Sequence, residues 1–350
     1  MNQQKNRGVP DRPHNRFHQN HCVFEEDWQP DGEFFDTTVT AVQPRNIISF
    51  NQSPDVPFDA SINPYHGCEH GCVYCFARPT HEYLDLSSGL DFENKLFYKK
   101  GAADLLKKEL SKKNYRCTPI NLGVNTDCYQ PMERTQKITR SLLKVLDEFN
   151  HPCALITKST LVLRDLDILQ SLASKNLVQV MISVTTLNAE LKRSMEPRAA
   201  SPNGRLKTIR TLSEAGLPVG VLMAPIIPGI NDSEIEDIIG DCATAGVTSA
   251  GYVLIRLPHQ VKQIFEQWLK SYAPLKADHI MNLVKACRGG KLYDASFGQR
   301  MSGTGEIAKL IKNRFRLACR KNGLPLERRS DQLNTTSFKV PGTGNQMDLF

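Results

Sequence analysis

The chain has 350 residues, enough for one large α/β domain or two ordinary ones, and its 40% hydrophobic and 23% charged residues are typical of globular proteins. Glycine and proline interrupt the apolar runs well below the length of a membrane span, and residues 1–21 are polar, without the apolar core of a secretory signal, so we expect a cytoplasmic protein with no membrane partner. The net charge of +7 is concentrated in residues 5–16 and 312–329, whose basic clusters suit either nucleic acid or a solvated surface.

In chain order, residues 1–57 are predicted to form an irregular N-terminal arm, because prolines recur and no hydrophobic period is sustained. Short apolar runs then predict strands before Cys68 and at 119–124, 153–157, 178–184, 219–224 and 251–256. Amphipathic patterns between them predict helices at about 134–149, 164–175, 202–215, 232–245 and 258–272. This alternation indicates an α/β fold with six β/α units, a partial or full (β/α) barrel over residues 58–275. A Rossmann sheet is disfavoured, because no glycine-rich phosphate loop follows the first strand.

Beyond the predicted barrel, the pattern changes to helices with basic faces at 277–287 and 305–322. We therefore expect a helical, basic C-terminal extension over residues 276–330. The polar residues 331–350 are predicted to be a flexible tail.

Three of the ten cysteines fall within eight positions, Cys68, Cys72 and Cys75, with the spacing Cys-x3-Cys-x2-Cys. Three thiolates on one tight loop can bind three irons of a [4Fe-4S] cluster and leave the fourth iron without a protein ligand. Glycines beside the first two cysteines allow the backbone to fold closely round such a cluster. A zinc site completed by His66 or His70 is the alternative that the spacing leaves open.

The cysteine loop, with the aromatic Tyr74 directly before its last cysteine and a predicted strand ahead of it, resembles the radical S-adenosylmethionine (SAM) superfamily. The resemblance implies that SAM chelates the open iron through its amino and carboxylate groups. It also implies that a reductant such as flavodoxin or ferredoxin supplies the electron that splits SAM into methionine and a 5′-deoxyadenosyl radical, which abstracts hydrogen.

Within that superfamily the sequence is most similar to the spore photoproduct lyase-like branch, over residues from about 57 to 324. The segments that carry this similarity are Asn63-Pro64-Tyr65-x-Gly67-Cys68, Thr126-Asp127-x-Tyr129-Gln130-Pro131-x-Glu133, Thr157-Lys158-Ser159, Ser183-Val184-Thr185, Ala224-Pro225-Ile226-Ile227-Pro228-Gly229 and Phe297-Gly298-x-Arg300-Met301. The cysteine motif is very specific to the superfamily. The other segments are weak evidence singly and moderately specific when they occur together in this order.

The resemblance assigns four residues to SAM binding. Thr126 stands where the lyase has a hydroxyl residue at the methionyl group, and Lys158 stands where it has a lysine for the carboxylate. Ser183 is expected to bond the ribose or methionyl group, and Tyr74 to pack at the adenine. Each of the four also has an ordinary structural interpretation, as a turn, loop or packing residue.

Two positions depart from the lyase. Val124 replaces the cysteine that donates a hydrogen atom, and Phe76 replaces an aromatic hydroxyl after the third cluster cysteine. Cys128 lies near the same strand end and is the candidate replacement donor, with a structural free thiol as the alternative. The hydrogen-return path of the lyase is therefore not reproduced at those positions.

Three functions remain open on the sequence. The first is a radical enzyme that repairs or modifies a nucleic-acid base, favoured by the lyase resemblance and the basic C-terminal helices. The second is radical modification of a protein, peptide or small molecule. The third is a non-catalytic iron–sulfur or zinc module that binds DNA.

The last five residues, 346–350, resemble the short tail by which bacterial replication and repair proteins dock on the DNA sliding clamp. Leu349 and Phe350 would enter an apolar pocket, and the Gln346 amide would fix their register by hydrogen bonds. The alternative is an amphipathic chain end without a partner.

Overall fold

The structure, a computed structural model, describes residues 7–9, 11–13, 15–17, 36–56, 58–325 and 332–342. Its strands in chain order are β1 (Thr38–Val42), β2 (Ser49–Phe50), β3 (Ala60–Ile62), β4 (Tyr65–His66), β5 (Lys95–Lys99), β6 (Ile120–Leu122), β7 (Cys153–Thr157), β8 (Val178–Ser183), β9 (Val219–Ile226) and β10 (Ser249–Leu254).

The helices are α1 (Asp91–Asn94), α2 (Ala102–Leu110), α3 (Glu133–Gln136), α4 (Ile138–Glu148), α5 (Leu166–Ser174), α6 (Ala189–Met195), α7 (Pro202–Glu214), α8 (Ile235–Thr244), α9 (Val261–Tyr272), α10 (Ala277–Ala286) and α11 (Gly305–Lys321). Short 3-10 helices lie at Arg78–Leu84, Thr160–Asp165, Asp232–Glu234 and Pro274–Lys276.

The main sheet has, within the described residues, seven strands in the order β2-β3-β6-β7-β8-β9-β10. Strands β3 and β6 to β10 are parallel, and β2 pairs antiparallel with β3 at one edge. In the described part of the chain β2 and β10 do not pair with each other, so the sheet is a partial barrel. This result confirms the predicted α/β fold of six β/α units, whose first strand is Ala60–Ile62.

The core lies between this sheet and the crossover helices. Helix α4 shows why these segments are helical: its buried residues recur at helical spacing, and Leu142, Leu143 and Leu146 are among the side chains that pack in the main apolar cluster. Ser201 starts α7 by accepting the amide of Gly204 at 3.1 Å. Each crossover helix returns the chain so that the next strand runs parallel to the last. The carboxyl ends of the strands therefore lie at one edge of the sheet, where polar residues of the site are expected.

A second sheet, which the sequence analysis does not predict, contains β1, β5 and β4 in that order. Strand β1 lies inside the segment expected to be an irregular arm, as does the edge strand β2. Most of β1 is exposed and β4 has two residues, so neither gives the alternating burial pattern that reveals a strand in a sequence. Strands β1 and β4 form because each pairs with β5.

Residues 7–17, where they are described, pack along residues 82–94. The amide of Gly8 donates to Glu93 Oε2 at 2.9 Å, and the amide of Leu90 donates to the carbonyl of Asp11 at 3.0 Å. Arg16 pairs with Glu82 at 2.8 Å. Arg12 likewise pairs with Asp91 at 3.1 Å, so these two arginines of the predicted basic cluster neutralise acidic groups of the same chain.

At the other end of the barrel, residues 332–342 pack near the start of the central strands. The Phe338 ring lies 5.4 Å from that of His151 and 5.5 Å from that of Tyr115, and the Lys339 amide donates to the Phe149 carbonyl at 3.0 Å. These packed residues differ from the flexible tail predicted for residues 331–350. The clamp-like residues 346–350 lie outside the described residues. No helix in the described ranges is long and apolar enough to span a bilayer.

Candidate active site

The loop with the three cysteines connects β4 to the 3-10 helix at Arg78–Leu84. Gly67 and Gly71 adopt φ angles of 77° and 68°, which strain any residue with a Cβ. The amide of Cys68 donates to the carbonyl of Phe92 at 2.9 Å. The glycines therefore allow the tight turn that their sequence positions predict.

Gln130 fastens the backbone on both sides of Cys68. Its Nε2 donates to the Gly67 carbonyl at 3.0 Å, and its Oε1 accepts the Glu69 amide at 3.0 Å. The side chain is fully buried, where unpaired amide groups would be costly. Sequence reasoning assigned Gln130 no role, although it stands in one of the resemblance segments.

Arg78 holds the second cysteine. Its Nε donates to the Cys72 carbonyl at 2.9 Å, and its Nη2 pairs with Glu93 Oε1 at 2.6 Å. Both side chains are fully buried, and removing one partner of such a pair typically costs about 3–5 kcal/mol. Side chains of the protein itself thus hold the loop backbone at Cys72.

The far side of the loop rests on the end of α6. The Val73 amide donates to the Met195 carbonyl at 3.1 Å, and Arg198 pairs with Glu69 at 2.7 Å. These contacts tie the cysteine loop to the segment that follows β8, so two distant parts of the sequence meet at one site.

The three thiols are protected from solvent. Cys68 and Cys72 are buried and Cys75 is partly buried. Burial raises the pKa of all three, that of Cys72 to about 12, so the thiols are protonated at neutral pH unless a cation stabilises the thiolates. Iron is such a cation, and the donor set therefore fits a [4Fe-4S] cluster.

The zinc alternative finds less support. His70 Nδ1 lies 3.3 Å from Asp127 Oδ2, and His66 lies in β4. Across the ranges that the structure describes, no three His, Cys, Asp or Glu side chains converge on one position that could hold a single metal ion. A cubane does not need such convergence, because each thiolate binds a different iron.

Lys158 brings three of the predicted residues together at the carboxyl end of β7. Its Nζ donates to Ser183 Oγ at 2.8 Å and to the Ala224 carbonyl at 3.4 Å, and lies 6.0 Å from the centre of the Tyr74 ring. Its positive charge opposes the burial that raises the pKa of Cys72. The ammonium group thus faces both the cysteine loop and the ends of β8 and β9.

Asp127 links the cysteine loop to Lys158, and sequence reasoning gave it no role. Its carboxylate accepts the Thr157 hydroxyl at 2.7 Å and the Lys158 amide at 2.8 Å, and it faces His70. Burial alone would raise its pKa, but His70 and these hydrogen bonds outweigh burial and lower it to about 2. The sequence feature that could have identified Asp127 is its position directly after Thr126, near the end of a predicted strand.

A second buried carboxylate, Glu196, supports Tyr74. It accepts the Tyr74 hydroxyl, the Thr185 hydroxyl at 2.7 Å and the Arg205 guanidinium. Burial opposes its ionisation, but Arg205 and Lys158 outweigh burial and lower its pKa to about 2. This network fixes the ring of Tyr74 beside the loop. No sequence pattern predicts it, because Tyr74 lies far along the chain from Glu196.

Residues 62–242, just over half of the chain, match the sequence family described as the Radical SAM superfamily. The chain belongs to the radical SAM superfamily. An uncharacterised protein of Mycobacterium tuberculosis is 35% identical to it over 221 residues, 63% of this chain and 65% of that relative. A protein of Methanocaldococcus jannaschii is 31% identical over 180 residues, 51% of this chain and 64% of that relative. This radical SAM chain thus covers slightly less than two thirds of each relative.

Spore photoproduct lyase complexed with a dinucleoside spore photoproduct has a similar structure, with a TM-score of 0.58 at 17% identity over 81% of this chain and 79% of the lyase chain. A lyase variant with bound SAM and the same dinucleoside has the same TM-score of 0.58. At such identity the likeness shows a shared fold, and it confirms the predicted radical SAM type of barrel.

As a radical SAM protein the chain uses a [4Fe-4S] cluster and SAM, as predicted. Of the residues assigned to SAM, Lys158, Ser183 and Tyr74 lie together. Thr126 is buried at the end of β6, where its hydroxyl donates to the Tyr65 carbonyl at 2.8 Å. Cys128 is fully buried in the main apolar core, apart from the cluster that holds Cys72 and Tyr74, which favours the structural-thiol interpretation.

Proposed function

We propose that this radical SAM enzyme abstracts a hydrogen atom from a nucleic-acid substrate, as a step in base repair or modification. The observation that carries its chemistry is the meeting of the cysteine loop, Lys158 and Ser183 at one edge of the partial barrel. Parallel strand ends form the reactive face of such barrels.

In this proposal Cys68, Cys72 and Cys75 hold the [4Fe-4S] cluster, which, when bound and reduced, supplies the electron that cleaves SAM to a 5′-deoxyadenosyl radical. Lys158 binds the SAM carboxylate by a charge-assisted hydrogen bond. Ser183 positions the Lys158 ammonium group.

The supporting residues of the proposal act by position. Asp127 fixes the backbone of Lys158, and Glu196 fixes the Tyr74 ring against which SAM packs. Thr126 holds the end of β6 against the loop and contributes the edge of the methionyl pocket. Burial of the thiols excludes water from the reacting region.

Nucleic acid is supported as the substrate class by the C-terminal helix. Lys312, Arg316 and Arg320 are exposed on α11 at four-residue spacing, about 6 Å apart along the axis at the usual helical rise. By contrast, Arg314 on the same helix pairs with Glu236 at 2.5 Å. A row of cations on one helix, none of which has an ion-pair partner among the described residues, suits a phosphate backbone. The lyase of similar fold is complexed with a dinucleoside.

Two partners belong to the proposal. A flavodoxin or ferredoxin reduces the cluster, since the chemistry consumes one electron for each SAM cleaved. The sliding clamp binds residues 346–350 through Gln346, Leu349 and Phe350, which would bring the enzyme to newly copied or repaired DNA.

The test of the proposed function follows deuterium from substrate to cofactor. Enzyme is reconstituted with iron and sulfide without oxygen, reduced, and mixed with SAM and fully deuterated DNA, RNA, protein or small-molecule extract. Mass spectrometry of 5′-deoxyadenosine should show deuterium from DNA or RNA alone. Deuterium from protein or small molecules alone would establish the alternative radical function. If enzyme that contains the cluster and SAM forms no 5′-deoxyadenosine, the protein is a non-catalytic module.

The matched control is the triple variant Cys68→Ala, Cys72→Ala and Cys75→Ala. It should lose iron and all 5′-deoxyadenosine formation, because no thiolate remains to hold the cluster. Iron uptake by the triple variant equal to that of wild type would show that these cysteines are not the ligands.

A further inference from the structure

Arg256 stands two residues beyond β10, at the same edge of the sheet as Lys158 and Ser183. Its guanidinium lies over the ring of Phe76, with the carbon 4.4 Å from the ring centre. Phe76 directly follows Cys75, and 42% of its side chain surface is exposed. An arginine and a solvent-exposed aromatic ring therefore meet at the rim of the cysteine loop.

The charge of Arg256 is not neutralised by a direct partner in the described part of the chain. No described carboxylate forms an ion pair with it, and no described acceptor receives its N–H groups. Asp55, whose charge also acts on Arg256, already pairs with Arg300 at 2.5 Å and accepts the Gly298 amide at 2.5 Å. Arginines this close to the interior normally have such a partner.

A second pair of the same kind lies beside the first. The Arg300 guanidinium carbon is 4.9 Å from the centre of the Phe297 ring, and that ring is 61% exposed. Burial lowers the pKa of Arg256 and the positive charge of Arg300 lowers it further, while Tyr293, Asp55 and Cys75 raise it. The two arginine–phenylalanine pairs are therefore neighbours near Cys75, and we call these four residues the aromatic rim.

The chemistry of the rim favours one ligand class. A guanidinium that stacks on a ring keeps its N–H donors in its own plane, where they match two oxygens of a phosphate. Exposed aromatic rings stack on unpaired bases, with any sequence. A carboxylate ligand would use the arginine but not the two exposed rings.

We propose that Arg256 binds a backbone phosphate of a single-stranded or flipped-out segment of nucleic acid, and that Phe76 and Phe297 stack on bases of that segment. This inference rests on the proposed function, because it assigns the nucleotide-binding residues of the same site. Arg300 is held by Asp55 and shapes the rim, whereas Arg256 supplies the charge that recognises the phosphate.

The test measures the binding of a fluorescent single-stranded decanucleotide to enzyme with a reconstituted cluster and SAM, by anisotropy at several salt concentrations. Arg256→Gln should weaken binding about tenfold or more, as expected for the loss of a charge-assisted bidentate contact. It should also reduce the slope of log affinity against log salt by about 0.7, the value for one phosphate contact on a single strand. Arg256→Lys, which keeps the charge but loses the planar fork, should fall between wild type and Arg256→Gln.

The matched control is Arg210→Gln, which removes the same charge from the exposed face of α7 and should bind as wild type does. Cluster absorbance and melting temperature identify the variants that retain the fold. If Arg256→Gln does not fold, the binding of Arg256→Lys is compared with that of wild type instead. A decapeptide rich in glutamate is the second probe.

The outcomes separate the two proposals. If wild type and the folded Arg256 variant bind the oligonucleotide equally well, the phosphate assignment is wrong and the proposed function still stands. A larger loss for the acidic peptide than for the oligonucleotide also overturns it. Absence of oligonucleotide binding by wild type contradicts the nucleic-acid function and the assignment together.

Discussion

Lys158 donates to the Ser183 hydroxyl and the Ala224 carbonyl, and among the described residues it has no carboxylate as a direct ion-pair partner. Its two acceptors are neutral oxygens, so no direct ion pair occupies the ammonium group and its charge can attract an incoming carboxylate. The nearby carboxylates Asp127 and Glu196 are each occupied by other donors. This placement supports the proposed role of Lys158 in binding the SAM carboxylate.

We expect Lys158→Ala to retain the cluster but to bind SAM about tenfold to a hundredfold more weakly, since a charge-assisted hydrogen bond typically contributes about 1.5–3 kcal/mol. Anaerobic calorimetry with SAM measures the affinity, and visible absorbance checks the cluster. Lys207→Ala, at an exposed position on α7, is the control. Unchanged SAM affinity in Lys158→Ala would show that the carboxylate binds elsewhere.

At the scale of elements, residues 7–9 lie directly on the cysteine loop. Val9 packs in the same apolar cluster as Cys72 and Tyr74, and a Cβ added at Gly8 would lie 1.8 Å from the carbonyl oxygen of Gly71. The two backbones therefore touch where no side chain fits between them. This segment covers one side of the loop that the thiols share.

Gly8→Val should push residues 7–9 off the loop and expose the cluster to oxygen. We expect its visible absorbance to bleach several-fold faster in air than that of wild type, because a locally opened segment admits solvent. Gly240→Ala, a helical position with open space around the added carbon, should bleach at the wild-type rate. Equal bleaching of Gly8→Val and wild type would mean that the segment gives no protection.

At the scale of the whole molecule, residues 332–342 connect the end of the chain back to the barrel, at the start of the strands rather than at the reactive edge. His151 lies under this segment, fully buried, with its Nε2 2.7 Å from the Tyr115 hydroxyl. His81, also buried, bonds the Lys95 carbonyl at 2.8 Å near the cysteine loop. Burial lowers the pKa of each histidine from about 6.5 to about 4.

These two histidines predict how stability depends on pH. Above pH 6.5 both are neutral in the folded and unfolded states, so their contribution is fully present. As the pH falls from 6.5 toward 4 the unfolded chain binds protons that the fold excludes, and stability decreases by up to about 3 kcal/mol per histidine. The pKa values of Asp127 and Glu196 fall from 3.8 and 4.5 to about 2 in the fold, so these carboxylates add a further loss of stability that begins near pH 5 and grows as the pH falls toward 2.

Urea unfolding at pH 7.5, 6, 5 and 4.5 measures this loss. In His151→Gln the free energy of unfolding should fall less steeply over the same range, because one of the two groups no longer titrates. A wild-type protein whose stability is constant from pH 7.5 to 4.5 would contradict the prediction.

Local patterns in the sequence suffice to predict the six β/α units and the cofactor chemistry. Hydrophobic period is a local property, so strands such as Val178–Ser183 and helices such as Ile138–Glu148 lie close to their predicted positions. The spacing of Cys68, Cys72 and Cys75 is likewise local, since all three lie on one loop.

Only the tertiary structure decided which polar groups support that loop. Gln130 and Glu196 act across separations of 61 and 122 residues, which no local pattern encodes, and β1 exists because β5 pairs with it. The arginines at positions 7 and 16 read as free charges in the sequence, yet the fold places buried acidic or carbonyl oxygens opposite them. Arg256 looked like any other arginine after a strand, and the absence of a described partner became visible only once the chain was folded, because partnership is a property of space and not of sequence.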